Sequence, residues 1–303
     1  MSFDITANFV QQYSSNMQML AQQRMSRFEK CFTRIDIVGK RGSYDQVGQS
    51  EAVKRTGRHA ATPFTPLPHR RRWIGLDTQE WSDLIDKPDA VRMLAEPSST
   101  YARAGIAAVN RAKDREAAAA FFASANTGED GLTAVPFPAA NVVAVGSWTY
   151  GAGTGNAGMT ISKLIEARTL LFGYEAVDEM DDQELPEAYC ALTRRQWGEL
   201  LSTTEATSRD FSGDLAALQS GKLKRFLGFE FIRYEPLPTD DSGFRRVPVW
   251  QKAGMGMGFG NSPVARVTER DDLSYSTQVY YADDFGAARL EENRVIEIKC
   301  SEA

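Results

Sequence analysis

Three groups of residues in this chain have types and spacings that do chemistry elsewhere. The first is Gly153-Thr154-Gly155-Asn156-Ala157-Gly158, a G-x-G-x-x-G run behind the apolar stretch NVVAVG and ahead of a helical pattern, with Glu175 about 20 residues on. That is the pattern of a dinucleotide phosphate loop. Seven residues, Ser147–Gly153, lie between the apolar stretch and Thr154-Gly155, so the tight strand–turn–helix geometry is missing and no alternating βαβ series follows. A Gly-rich connecting loop is the preferred reading. The second group is His69-Arg70-Arg71-Arg72-Trp73. It suits gripping phosphate and stacking a base. It equally suits pairing with acidic neighbours while Trp73 packs at an interface, and the flanking Pro63, Pro66 and Pro68 favour that second use. The third group is the carboxylate pairs Asp181/Asp182, Asp240/Asp241, Asp271/Asp272 and Asp283/Asp284, all in sequence contexts that read as solvated turns.

Other chemistry is thinly supplied. Two histidines, His59 and His69, count against zinc or His-based acid–base work. Cys31, Cys190 and Cys300 are far apart, have no metal spacing and read as free thiols of a reducing compartment. There is no G-x-S-x-G, H-E-x-x-H or Walker loop. No catalytic residue, cofactor or metal is therefore expected. The 303 residues, 42% hydrophobic and 25% charged, are enough for one large or two modest domains. No apolar run approaches a membrane span, and the start has no basic-then-apolar plan, so neither membrane insertion nor a secretory signal is expected. The net charge of −5 is uneven: residues 24–72 carry +8 and the remainder −13. A basic segment on an acidic body can bind nucleic acid, bind the acidic body of an identical subunit, or simply be solvated.

The element that must organise these groups is residues 98–125. The stretch is proline-free and alanine-rich, follows Pro97, is capped by Ser98 or Ser99 and stops at Asn126-Thr127-Gly128, so it predicts one long helix. Tyr101, Gly105, Ala108, Val109, Ala112, Ala119 and Ala123 share a narrow face of small side chains, interrupted by Glu116. Arg103, Arg111, Lys113, Asp114, Arg115 and Glu116 are read as solvated, with Arg111/Asp114 and Lys113/Glu116 as i,i+3 pairs. Before this spine, residues 1–30 read as a polar, Gln-rich arm, 31–41 as a strand, 31–54 and 63–77 as the arms of a long projecting hairpin, and 78–96 as two short helical pieces split at Lys87-Pro88. After it, 132–146 is extended, 159–173 an amphipathic helix, 187–192 a buried strand, and Thr193–Gln196 a capping box opening a helix through Leu201. A short helical piece is expected at 214–219 and a strong strand over 222–238. In 250–262, Gly254, Gly256 and Gly258 alternate with Met255, Met257 and Phe259, which predicts a strand whose glycine face admits a closely packed layer. Residues 273–281 and 293–300 close the chain as strands.

In this order, the chain resembles the major capsid proteins of tailed bacteriophages, the HK-ninety-seven fold family. ARAGIAAVNRAKDREAAAAFFASA resembles the family's helix around an Arg-Ala-x-Asp core. MTISKLIEARTLLFG resembles the first helix of its axial domain. AYCALTRRQWGELL…GKLKRFLGFEFIRYEPLP and AGMGMGFGNSPVARVTERDDLSYSTQVYYADDFGAARLEENRVIEIKC resemble the strands of one large branch, down to the Gly-Ala-x-Arg at 286–289. About 200 residues carry the resemblance; the first 77 match in character only.

The resemblance implies an α+β fold with an N-terminal arm (1–33), an extended loop (34–77), a peripheral domain with the spine helix (78–145), an axial domain (146–265) and a return to the peripheral domain (266–303). It implies a non-enzymatic shell subunit that forms hexamers and pentamers around double-stranded DNA, in a virion made in a bacterial cytoplasm. Scaffolding protein and portal would be its partners, with a decoration protein optional. Lys54, Arg55, Arg58, Arg70, Arg71, Arg72 and Trp73 would make inter-subunit contacts through the loop. Tyr101, Gly105, Val109, Ala112 and Asp114 would form the spine, and Gly153, Gly155 and Gly158 an axial-domain loop. An encapsulin-like compartment shares the fold, and a nucleotide-binding enzyme using Gly153–Gly158 is the distant alternative.

Overall fold

The computed structural model describes residues 22–55, 57–58, 64–85, 98–146, 155–174, 188–202, 225–260 and 263–302, without the side chains of 98–100. In chain order its elements are β1 (Thr33–Asp36), β2 (Arg41–Val47), β3 (His69–Gly75), β4 (Asp77–Ile85), α1 (Ser98–Ala120), β5 (Ala125–Thr127), β6 (Thr133–Val135), β7 (Val142–Val143), α2 (Ile161–Gly173), β8 (Ala188–Leu192), α3 (Arg194–Ser202), β9 (Arg225–Phe226), β10 (Phe229–Arg233), β11 (Arg245–Trp250), β12 (Met255–Phe259), β13 (Val264–Arg270), β14 (Ser276–Arg289) and β15 (Val295–Cys300). This is a mixed α+β architecture. The chain divides into two compact units, one of residues 1–26, 78–112 and 261–284, the other of 27–77, 113–260 and 285–303.

The larger unit is built on a six-stranded sheet ordered β7-β15-β11-β8-β10-β9. β8 is buried along its whole length and runs parallel to β10, with Ala188 opposite Phe229 and Leu192 opposite Arg233. Such two-sided burial is what the continuous apolar run AYCAL predicts. Phe28, Phe32, Phe121, Tyr234 and Trp250 form one aromatic cluster with ring centroids 4.6–6.0 Å apart. The Trp250 indole N–H donates to the Cys31 carbonyl at 3.0 Å, satisfying the one polar atom a buried tryptophan brings. All three cysteines are free and buried.

The glycine strand lies in this unit. β12 is parallel to β1 and antiparallel to the 285–289 part of β14. A Cβ on Gly256 would sit 3.0 Å from Ile35 and Leu290, and one on Gly258 2.5 Å from Ile37. Met255, Met257 and Phe259 are buried on the other face. A third sheet, β2-β3-β5-β6, begins with the hairpin.

In the smaller unit, β13 pairs with β14 from Val264 opposite Ala282 to Arg270 opposite Ser276, and β4 also pairs with β14. Thr78 donates to Asp284 at 2.5 Å and the Tyr280 hydroxyl to Glu80 at 3.0 Å. Trp81 of β4 lies over Gly105 of α1, where a Cβ would meet the ring at 2.5 Å. Gly105 is in the spine because the indole leaves no room for a methyl.

Several expectations are corrected. Residues 78–85 are strand, not helix. Trp81 and Ile85, four apart, share a face in either conformation, so pairing with β14 decides. The spine helix ends at Ala120; of the expected 121–125 end, residues 121–124 turn the chain and Ala125 already belongs to β5. Lys113 and Asp114 are not solvated: Lys113 lies 5.2 Å from the Phe259 ring and 5.7 Å from Phe285, and Asp114 is fully buried. Ala119, placed on the packed face, is exposed. The strand expected over 222–238 is the hairpin β9–β10, turned at Leu227 and Gly228, both with positive φ. Asp283 and Asp284 are in β14, and Asp283 is buried, so they are not a solvated turn. The helical piece at 214–219, Asp181/Asp182 and residues 1–21 lie outside the described residues.

Candidate assembly surfaces

The β2–β3 hairpin carries most of the predicted contact residues. Its register places Asp45 opposite Arg71 and Ser43 opposite Trp73. Strand alternation then sorts the basic run residue by residue. Arg71 forms a bidentate pair with Asp45 at 2.6 and 3.0 Å, and this guanidinium holds the Asp45 carboxyl below its ordinary range. Arg72 points the other way and is buried. Its Nε donates to the Leu290 carbonyl at 3.0 Å and its Nη2 to Glu292 at 2.5 and 2.6 Å. The Trp73 indole N–H donates to the Gly128 carbonyl at 2.8 Å, and its ring fills the space a side chain on Gly131 would need. Arg72 is therefore removed from the predicted inter-subunit set, and Arg71 and Trp73 have partners within their own chain.

The other end of the hairpin is different. Lys54, Arg55, Arg58 and Arg70 are exposed, and Arg55 donates to carbonyls of its own loop, Gly57 at 2.7 Å and Arg58. Val47, Val53, Phe64 and Leu67 are exposed as well, Phe64 at 91%. The prolines explain the extended backbone; no described residue covers these apolar side chains.

Arg289, the arginine of Gly-Ala-x-Arg, is fully buried and donates to the carbonyls of Phe121 (2.9 Å), Ala123 (2.8 Å) and Val135 (3.2 Å). Burial pushes its guanidinium's pKa down. It ties the residues just past the spine helix to β6, satisfying carbonyls that a helix end leaves open. Asp114 accepts the backbone N–H groups of Arg27 (3.0 and 3.1 Å) and Phe28 (3.3 Å), so the Arg-Ala-x-Asp carboxylate fixes where the chain enters the aromatic cluster. Of the remaining spine residues, Gly105 and Val109 are buried, and Tyr101 and Ala112 half-buried.

The Gly-rich loop does not form a phosphate site among its described residues; Gly153 lies outside them. Gly155 has φ +105° and is exposed. At the mouth of α2, the Met159 N–H donates to the Glu199 carboxylate at 2.6 Å, and that carboxylate fills the space beside Gly158. Thr160 caps the helix itself. A phosphate there would meet a carboxylate where the fingerprint needs free N–H groups. Fully buried Lys163 donates to the carbonyls of Ala157 (2.8 Å), Gly158 (3.0 Å) and Lys299 (2.8 Å), and burial lowers its pKa. The loop end is thus a structural tie.

Sequence reasoning missed Lys163, Glu292 and the Arg246–Glu297 pair, a bidentate contact at 2.7 Å with Glu297 buried in β15. Glu297 had a signal: a single acid inside the apolar run VIEIKC is buried, and a buried acid is paired. Asp240 is a turn acid as expected, but it also accepts Lys299 at 2.8 Å and the N–H groups of Ser242 and Phe244.

Among the described residues, ionisable groups in the interior are engaged in ties within the chain, no cluster of three metal-ligating side chains occurs, and no helix is long and apolar enough to cross a membrane. The chain belongs to the phage capsid protein family, whose model matches residues 5–302. Its fold is shared with the capsid structure of cyanophage P-SCSP1u (19% identity, 98% of this chain and 94% of that one, TM-score 0.70). The capsid of Ralstonia phage GP4 (13%, 99% and 97%, TM-score 0.71) and the capsid asymmetric unit of cyanophage Pam1 (13%, 100% and 100%, TM-score 0.71) share it too. The chain has no match among curated proteins. It is a major capsid shell protein of the virion with the HK-ninety-seven-like fold, and it works in a multimeric capsid assembly. The nucleotide-enzyme and encapsulin alternatives are not favoured.

Proposed function

We propose that this protein is a non-catalytic subunit that assembles as hexamers and pentamers into an icosahedral head around double-stranded DNA. In this reading residues 34–77 are the extended loop and lie on a neighbouring subunit, and 1–33 form an arm with the same fate. Residues 146–265 form the axial domain; 78–145 and 266–303 form the peripheral one. Scaffolding protein and portal are its partners during assembly, a decoration protein an optional later one, and synthesis is in the host cytoplasm.

The observation that carries the reading is the contrast within the hairpin. Its root is tied into its own chain, while Val47, Val53, Phe64 and Leu67 at the far end are exposed beside Lys54 and Arg55. An ordered loop of this length has a large entropic cost and needs a covering surface. The −13 remainder of an identical subunit supplies the matching charge. Negative-stain microscopy of the expressed chain, alone and with its scaffolding protein, is expected to show shells, tubes or capsomers. A strictly monomeric protein under all those conditions sinks the reading.

A further inference from the structure

Among the described residues, two buried side-chain nitrogens have no hydrogen-bond partner: Arg72 Nη1 and Arg289 Nε. They belong to strands far apart in sequence, yet they flank the same carboxylate. Glu292 accepts from Arg72 Nη2 at 2.5 and 2.6 Å and lies 3.8 Å from Arg289 Nε. The other donors of the two guanidiniums are spent on carbonyls: Leu290 for Arg72, and Phe121, Ala123 and Val135 for Arg289. Neither arginine pairs with a second carboxylate among the described residues. Two positive charges therefore share one negative charge, and the cluster keeps an excess of +1. The Arg289 side chain is fully buried and the Arg72 side chain 4% exposed.

This charge is held where water cannot screen it. Burial is the largest cause lowering the Arg289 pKa; Glu292 opposes that fall and Arg72 adds to it. An arginine nevertheless stays protonated. A buried cation in excess of its counter-charge is strongly unfavourable, so the cluster calls for one more negative charge.

We propose that Arg72 Nη1 and Arg289 Nε hold a small monovalent anion beside Glu292, of which chloride is the simplest. Both unfilled positions are donors, and an anion accepts from them without adding hydrogens of its own. A water molecule would bring two further donors and leave the charge in place. Of the three side chains Glu292 is the most open, at 14% exposed, so the site admits a small ion and not the phosphate backbone of a nucleic acid. Filled, it ties the root of the hairpin in β3 to Arg289 of β14, and through the Phe121 and Ala123 carbonyls to the end of the spine helix. The inference is independent of the assembly reading.

Two measurements on the unassembled full-length chain test this. Thermal unfolding is followed in sodium chloride, bromide and gluconate at equal ionic strength. The halides are expected to raise the transition by about 2 °C over gluconate, the shift for a site at roughly ten times its Kd. The chlorine NMR line of the chloride solution is expected to broaden with added protein and to narrow again as bromide competes. Arg72→Leu should abolish both effects. Glu292→Gln raises the excess to +2 and should tighten chloride binding about tenfold. Equal transitions in halide and gluconate without broadening would mean that water alone fills the site, and would overturn the assignment. A folded Arg72→Leu chain that keeps the full halide shift, or unchanged chloride binding in Glu292→Gln, overturns it as well. Where a variant does not fold, the wild-type halide shift and line width decide.

Discussion

The two ends of the β2–β3 hairpin are rich in the same residue types and do opposite things with them. At the root, Arg72 is buried against Glu292 and the Leu290 carbonyl, and Trp73 is closed over by Gly131. At the far end, Lys54, Arg55 and Arg58 are exposed beside Val53 and Phe64. The difference teaches that basic charge in a sequence is not a surface property until the strand register is known. In β3 a single step moves a guanidinium from the outward Arg71–Asp45 pair to the interior. The root therefore contributes to the stability of one subunit, whereas the far end is where the proposed function puts the contacts between subunits.

The sharpest way to break that comparison is to reverse charge at the root. Arg72→Glu sets a second carboxylate beside Glu292 in a buried site. Breaking a buried pair costs about 3–5 kcal/mol, so the isolated subunit is expected to be insoluble or largely unfolded by thermal denaturation. A soluble variant with an unchanged transition would mean Arg72 is not buried.

The next effect is steric and tests the layer beside the root. Gly256→Val presses on Ile35 and Leu290, from which even a Cβ is only 3.0 Å away. Overpacking of this kind costs about 1–3 kcal/mol or more, visible as a lower urea midpoint and loss of assembly. Normal assembly in this variant would place the glycine face against open space.

Charge reversal at the far end should leave subunit stability within about 0.5 kcal/mol. Lys54→Glu, Arg55→Glu and Arg70→Glu together are nevertheless expected to lower the yield of empty shells counted by microscopy, because each lost contact repeats over the particle. If the triple variant forms normal empty shells and fails only to retain DNA, the loop faces the genome instead.

The smallest effect is pH-dependent and lies away from both ends. The Arg245 guanidinium, with Gln196, holds the Glu302 carboxyl down at about 2 from an ordinary 4.5. The folded value is depressed, so its stabilisation is complete above about pH 4.5 and is lost as pH falls toward 2. The side chain is a quarter exposed, and solvent screening keeps the contribution on the order of 1 kcal/mol. Denaturation midpoints of wild type and Glu302→Gln should differ at pH 6 and converge below pH 3. A constant gap would show that the pair does not titrate in that window.

Much of the framework was legible in the residues themselves. The buried strand at 188–192, the amphipathic helix that ends at Gly173 and the glycine strand all rest on local patterns: a run of apolar residues, a 3.6-residue stripe, an alternation with glycine on one side. These follow from the backbone's own periodicities and need no partner to be named. What the tertiary structure alone decided is which neighbours those patterns meet. Residues 78–85 became a strand because β14 offered pairing, and Leu227-Gly228 became a turn because β9 folds back on β10. Arg72 left the surface because Glu292, 220 positions away, lies under it. Local sequence carries periodicity, whereas the partner of a charge is set by contacts distant in sequence. The hairpin's existence could therefore be read from the chain, and the division of its arginines between core and surface could not.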